Sequence, residues 1–458
     1  MNGTSRVILT AGVPLATVAA LAGAYPSSVL PLLLAAAAAF LIASPPVATR
    51  GWRVQDAGLL LFLLGLAVQV APLPAGLVDA ISPHARALTG LLVLVPSGTI
   101  TLSLREVFTR DTLSSAATVV LVYWTARGLL RVGGSRTVAK LLSVGGLIVA
   151  LTGLAQRATA PQSLLWIWSP LEATAKPMGP FVNRNHFAMW LVMASALAAG
   201  ALGTHVAHRQ ATGVGAHRPS LVRWLDDSTA LWLGGATGLL WLTVIASGSR
   251  GGMIAVAVFA GTWFALSARR VGRRRSLGYA GAFLILVGVV GIWANMNLIA
   301  SRLMVGQGIP RTTVWKDTLP LIHDFWLTGT GGGTFSSAML LYQRDHRYVL
   351  FNEAQNEYLQ LLAEGGVLLA LPLLLSLGAW ALTCARRLRE DHSAMFWLRS
   401  AAVAGLAGVA TQCLWDSALR MPANAVLAAL LAAVAVHEQP RPPAPDRGKT
   451  HVAYPRSY

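Results

Sequence analysis

The sequence predicts an all-α integral membrane protein of about twelve transmembrane helices, with one large extracytoplasmic loop containing short helices. Three observations predict it. Hydrophobic residues make up 55% of the 458 positions and charged residues only 12%, with a mean hydropathy of +0.58. Soluble chains carry about 25% charge, so this one cannot coat several globular surfaces. The 44 glycines and 23 prolines suit transmembrane helices, which tolerate both residues. Apolar runs long enough to span a bilayer recur along the chain.

Those runs lie near 7–24, 27–45, 56–73, 112–130, 141–156, 185–206, 230–247, 252–268, 278–297, 358–383, 397–415 and 423–437. Arg6, the first run and Ala22-Gly23-Ala24 fit a signal peptide, but a second apolar segment follows at once, so the first is read as a retained span. The spans 141–156 and 423–437 are the shortest. Residues 1–438 form one polytopic membrane domain, whose extracytoplasmic loop covers about 298–356. Residues 439–458 are polar and Pro-rich, and are expected to form a disordered cytoplasmic tail.

The 36 Lys and Arg against 18 Asp and Glu give a net charge of +18. In a soluble chain that excess would suggest nucleic acid. Here it falls between apolar runs, where it sets topology instead. With both termini cytoplasmic, the inner segments hold Arg6, Arg50, Arg53, Arg127, Arg131, Arg136, Lys140 and Arg209. They also hold the run RRVGRRR at 269–275, then Arg386, Arg387, Arg389 and Arg399. No nucleic-acid partner is expected. Cys384 and Cys413 lie in or beside apolar segments, and neither a disulfide framework nor a Cys-based metal site follows from them.

The polar motifs gather on the predicted outer face, where three loops near 74–111, 157–184 and 298–356 are long enough to carry function. At the mouth of the sixth span stands GPFVNRNHFA (179–188). Asn183 and Asn185 are good helix N-caps, and Arg184 offers a planar cation that suits an anion beside a helix start, or else snorkels from a polar cap. SGSRGG (247–252) forms the next outer turn. Arg250 is the only basic residue between Arg223 and Arg269, and a lone Arg near membrane depth is costly without an anionic partner. Its flanking glycines let a large group approach the backbone closely.

In the long loop, Arg311 and Trp315 share one face of a helix start at i,i+4. The run TGTGGGTF (328–335) resembles a phosphate loop only superficially, because it lacks the Gly-Lys-Ser/Thr ending and a preceding strand, and it reads as a flexible turn. Beyond His346, the residues Glu353, Glu357, Gln360 and Glu364 fall near one helix face. Glu364 sits about 10 Å deeper than Glu357 and needs a polar cavity or a basic partner. Asp416 and Arg420, four residues apart, are placed to pair with each other.

Together, GPFVNRNHFA (179–188), SGSRGG (247–252), WKDTLPLIHDFWLTGTGGGTF (315–335), AQNEYLQLLAEGG (354–366) and LRMPAN (419–424) resemble the O-antigen ligase/O-antigen polymerase superfamily of bacterial membrane glycosyltransferases. The resemblance covers roughly the C-terminal two thirds of the chain. It implies transfer of a glycan from undecaprenyl diphosphate to an acceptor sugar, on lipid A–core for a ligase or on another polysaccharide for a polymerase. The setting implied is the bacterial inner membrane, with the active site periplasmic. The family's pyrophosphate-binding arginines map onto Arg250 and Arg311. Arg184, Asn183, Asn185, His186, Asn356, Tyr358 and Arg420 complete the expected substrate-binding set. The family's catalytic histidine belongs in a His-Asn-x-Tyr-Leu motif, where this chain has Gln355-Asn356-Glu357-Tyr358-Leu359.

That departure matters, because an amide cannot accept a proton as imidazole does. The candidate catalytic residues are therefore Gln355, as an orienting group, with His346, Glu357 and Glu353 as candidate bases. A diphosphate-linked sugar is already activated, and guanidinium groups can stabilise the charge that builds on the leaving pyrophosphate. No Asp-x-Asp pair occurs, so the enzyme is expected to be metal-independent and to need no cofactor. The competing class is a transporter or flippase of lipid-linked glycans. Transporters concentrate ionisable groups near mid-membrane, whereas here they cluster toward one face.

Overall fold

The structure, a computed structural model, describes residues 2–92, 99–171, 175–212, 226–272 and 310–437, together with 274, 278 and 281. The expected span 278–297, the first part of the long loop and the expected tail at 439–458 lie outside these residues, apart from isolated positions. Every other expected span coincides with a helix. These are α1 (Gly3–Ala19), α2 (Val29–Ala43), α3 (Arg53–Val70), α6 (Glu106–Leu130), α7 (Ser135–Thr159), α8 (Arg184–Ala211), α9 (Ser228–Ala246), α10 (Arg250–Val271), α13 (Glu357–Glu390), α14 (Phe396–Gln412) and α15 (Pro422–Val436). Between them lie the short helices α4 (Ala75–Ile81), α5 (Pro83–Leu92), α11 (Arg311–Asp324) and α12 (Phe335–Tyr342).

Among the described residues, eight helices are long and apolar enough to cross a membrane. The short expectation at 141–156 extends to a 25-residue helix, α7, while α15 remains short at 15 residues. The first span ends earlier than expected. The chain leaves α1 at Ala19 for a 3-10 turn, where Gly23 adopts φ +76 and lies against the Pro422 ring.

Helix α8 is the hub, packed against α7, α9, α10 and α14. Its residues from Phe187 to Ala199 are almost wholly enclosed, as expected of a helix that is apolar all round. In lipid, helices associate through close approach of small residues rather than by expelling water. Gly405 accordingly lies against Ala196, Gly252 against Ala188, and Gly200 against Leu398 and Ala401.

At the bundle end holding the start of α3 and the end of α6, Arg127 grips Asp56 through both guanidinium nitrogens, at 2.7 and 2.8 Å. The pair is buried. Trp124 Nε1 and the Ala48 amide satisfy the remaining carboxylate sites at 2.9 and 2.8 Å, and Trp52 stacks 4.5 Å from the guanidinium.

The opposite end carries a cap. A two-residue antiparallel pair, β1 (Leu73–Pro74) and β2 (Thr99–Ile100), brackets α4 and α5. These pack with α11 and α12 around Val78, Leu102, Leu321, Phe325, Phe335 and Phe351. Tyr342 donates to Asp324 Oδ2 at 2.6 Å, fastening the end of α12 to the end of α11.

Two expectations need correction. The span at 358–383 is not a continuous helix, because α13 breaks at Gly366, whose φ is +52. Nor is the glycine run a free turn. The segment 326–333 is inserted into that break. Val367 and Leu368 amides donate to the carbonyls of Trp326 and Leu327, while Thr330 and Gly331 amides donate to those of Ala363 and Glu364. The carbonyls of Ala363 and Glu364 and the amides of Val367 and Leu368 are thereby paired again across the break, as an apolar surrounding demands. Gly329 at φ +65 touches the Glu364 carbonyl so closely that no Cβ fits. Gln69, wholly buried at the end of α3, bridges Thr328, Glu364 and Gly332.

Candidate functional site

The capped end gathers side chains from four separate stretches. α8 begins at Asn183, whose side chain accepts from the Asn185 amide at 2.9 Å. Gln412, at the end of α14, donates to the Asn185 carbonyl, and Asn424 of α15 donates to that of His186. Asn356 caps α13 by accepting from the Tyr358 and Leu359 amides, and its own amide donates to Leu414. Tyr358 donates to the Ala410 carbonyl at 2.8 Å. Asn183, Asn356 and Tyr358 therefore hold backbone, and by doing so bring the starts of α8 and α13 to the segment 412–424.

At that junction stands an ionisable cluster. Glu364 accepts from the Gly333 and Phe335 amides at 2.9 and 3.0 Å, from Gln360 at 2.9 Å, and from Arg420 Nη2 at 2.7 Å. The basic partner required by its depth is thus Arg420, and the expected Asp416–Arg420 pair is not formed. The reason is a fully organised anion: two backbone amides and an amide side chain hold the Glu364 carboxylate in place for a guanidinium. Asp416 turns the other way, with Oδ1 3.7 Å from His186 Nε2. Glu357 accepts from the Leu419 and Arg420 amides at 2.9 and 3.2 Å.

Glu353 lies half-buried, and its carboxylate is hydrogen-bonded to none of the described residues. Burial pushes its carboxyl above the usual carboxylate range, Asp416 and Glu364 act in the same direction, and His186 and Arg420 oppose them.

The remaining expected residues divide. Gln355 is half-buried with φ +54, a left-handed conformation that costs a non-glycine residue of order 1–3 kcal/mol and is common at functional sites. Arg250, at the first turn of α10, is exposed and pairs with none of the described residues. Its helix is capped independently by Ser249, which accepts from Gly252 at 3.1 Å. The close approach expected at the flanking glycines occurs within the protein: Gly251 meets the Trp415 indole and Gly252 meets Ala188. Arg311 is exposed at the start of α11, one turn ahead of Trp315, whose indole donates to the Ala354 carbonyl. Arg184 is half-buried. His346 stands apart in an exposed turn, bonded to the Tyr348 hydroxyl at 3.1 Å.

Sequence reasoning did not foresee the His186–Asp416 contact or Gln69. His186 lies 230 positions from Asp416 in the numbering, so nothing local links them. Gln69 is a single polar residue at a span's end, a pattern with no distinguishing signal.

A family model described as O-antigen ligase matches residues 235–374. The match begins within α9, takes in Arg250, Arg311, the glycine strap, Glu353, Gln355 and Glu357, and ends just beyond the break in α13. This segment is therefore similar to O-antigen ligases. None of the curated proteins matches the chain. The eight described helices long and apolar enough to cross a membrane make this a multi-pass membrane protein, within which the segment 235–374 is similar to O-antigen ligases. His186, Asp416 and Arg420 lie outside the matched segment, yet they complete its ionisable cluster.

Proposed function

We propose that the protein transfers a glycan from an undecaprenyl-diphosphate carrier to an acceptor sugar, on lipid A–core or on a second polysaccharide chain, at the periplasmic face of the inner membrane. The observation that carries this reading is the pairing of two kinds of site at one end of the bundle. Exposed guanidinium groups without partners among the described residues, Arg250 above all, suit a diphosphate. Beside them, a cluster of carboxylates suits proton removal from a sugar hydroxyl. Arg250 adjoins Trp415 through Gly251, and Arg311 reaches Ala354 through Trp315, so both belong to the cluster's surroundings.

Of the candidate bases, Glu353 is favoured. His346 is solvent-exposed and engaged with Tyr348, and one oxygen of Glu357 already accepts two backbone amides. The Glu353 carboxylate is free of hydrogen bonds among the described residues, and its affinity for a proton is raised toward a base's working range. Gln355, locked in its strained turn, orients the acceptor. Arg184, Asn183, Asn185 and His186 line the α8 side. The chemistry required of these groups involves no metal.

Purified protein given an undecaprenyl-diphosphate glycan and either lipid A–core or a second glycan chain tests the proposal. Product on one acceptor alone distinguishes ligase from polymerase. Transfer to neither, with carrier movement across vesicles instead, would establish the transporter reading in its place.

A further inference from the structure

Between the buried Gln343 and the buried Phe351, every residue from Arg344 to Leu350 is exposed. The loop is nevertheless held from inside. Gln343, 4% exposed, donates through Nε2 to the carbonyls of Asp345, His346 and Val349 at 3.1, 3.0 and 2.7 Å. Its Oε1 accepts from the Phe351 amide at 3.3 Å. The Val349 amide donates to the His346 carbonyl, and the Arg344 amide donates to the buried Asp317 carboxylate of α11 at 3.0 Å. One side-chain amide thus serves four backbone groups, which closes a compact surface loop on itself. Phe351 roots the loop in the core of the cap. His346 adopts φ +54, a conformation costing of order 1–3 kcal/mol that persists only where its surroundings hold it.

Because Gln343 and Asp317 hold the backbone, the exposed side chains are left to face outward. The Arg344 guanidinium pairs with none of the described residues. Arg347 spends one nitrogen, Nη2, on the Leu340 carbonyl at 3.3 Å. Tyr348, 80% exposed, stands edge-on to the His346 ring with centroids 5.7 Å apart, and its hydroxyl bonds His346 Nδ1 at 3.1 Å. Asp345 is the loop's one acid. Guanidinium groups match carboxylate or phosphate oxygens by forked hydrogen bonds. A fixed aromatic ring offers its negative face to the C–H edges of a sugar.

Resting on the transfer reaction proposed above, we infer that the loop 343–351 is a recognition surface for the acceptor, and that it selects an anionic saccharide bearing phosphate or carboxylate groups. Arg344 and Arg347 pair with the acid groups, and Tyr348 packs on a sugar ring. The loop is separate in the chain from the arginines assigned to the donor diphosphate, Arg250 and Arg311, which begin α10 and α11. It binds and takes no part in bond making.

The test is calorimetric, on the full-length protein in phosphatidylcholine nanodiscs. The probes are the phosphorylated core oligosaccharide freed of its lipid, and the same oligosaccharide after phosphatase treatment. Wild type should bind the phosphorylated probe about tenfold more tightly, the worth of one hydrogen bond to a charged group. The double variant Arg344→Gln, Arg347→Gln should erase that preference, and Tyr348→Ala should weaken both probes alike. Equal binding of the two probes by wild type, or a preference that survives in the double variant, would overturn the inference. A nitroxide at Val349→Cys decides against a membrane contact; the native Cys384 and Cys413 are buried. A label that enters the bilayer of phosphatidylglycerol nanodiscs would assign the loop to lipid headgroups and overturn the acceptor role. In transfer assays the double variant should raise the acceptor KM about tenfold and leave the donor KM in place. If wild type transfers nothing, the proposed reaction fails, while probe binding still decides whether the loop reads charge.

Discussion

Arg250 shows how a single side chain can be legible in sequence and still acquire its meaning from its neighbours. A lone arginine in a glycine-rich turn already called for an anionic partner, and among the described residues the fold supplies none. Because Ser249 caps α10 and Gly251 packs on Trp415, the helix does not depend on the guanidinium. Arg250→Ala should therefore lower transfer by about 100-fold or more, the cost of losing a donor aimed at developing charge. Circular dichroism of the variant should remain helical. Full retained transfer would remove Arg250 from the site. Gln355→His should be tolerated or activating, because histidine accepts left-handed backbone more readily than most residues and would restore an imidazole to the turn. A loss of transfer in that variant would show that the amide has a task of its own. The proposed base was not legible in this way. Glu353, Glu357 and His346 look equivalent along the chain, and only the engaged Glu357 oxygen and the exposed His346 turn separate them.

Hydropathy found the helices, because burial in lipid demands long apolar stretches whatever their partners. It did not find the break in α13. Glu-Gly-Gly at 364–366 reads as a helix with two weak positions, and only the inserted strap makes the interruption favourable. That strap re-pairs the backbone groups of residues 363, 364, 367 and 368, and the break leaves the Glu364 carboxylate able to accept the Gly333 and Phe335 amides. Gly366→Ala should be destabilising by about 1–3 kcal/mol from backbone strain alone, with an added clash because a Cβ would lie 2.7 Å from the Gly329 nitrogen and from Leu327. Thermal unfolding in detergent measures this. A variant as stable as wild type would mean that α13 can run straight without its strap. Transfer should fall with stability, since Glu364 anchors Arg420.

Across the whole bundle, the two ends differ in kind. One is closed by the buried Asp56–Arg127 pair and the other carries the ionisable cluster. Removing one partner of a buried pair strands a charge, so Asp56→Ala should cost about 3–5 kcal/mol, read as a lowered unfolding temperature. Because the pair lies at the far end from Glu353, the pH dependence of transfer in the folded fraction should stay unchanged; a moved acid limb would show that the two ends are coupled. The membrane class and nearly all the helices came from composition and hydropathy, since the bilayer imposes the same demand on each apolar segment independently. The partner of Arg420, the burial of the glycine run and the meeting of His186 and Asp416 depended on how separate segments pack against one another. Charges and backbone groups choose partners by proximity in space, and proximity across 230 residues is written in no local pattern.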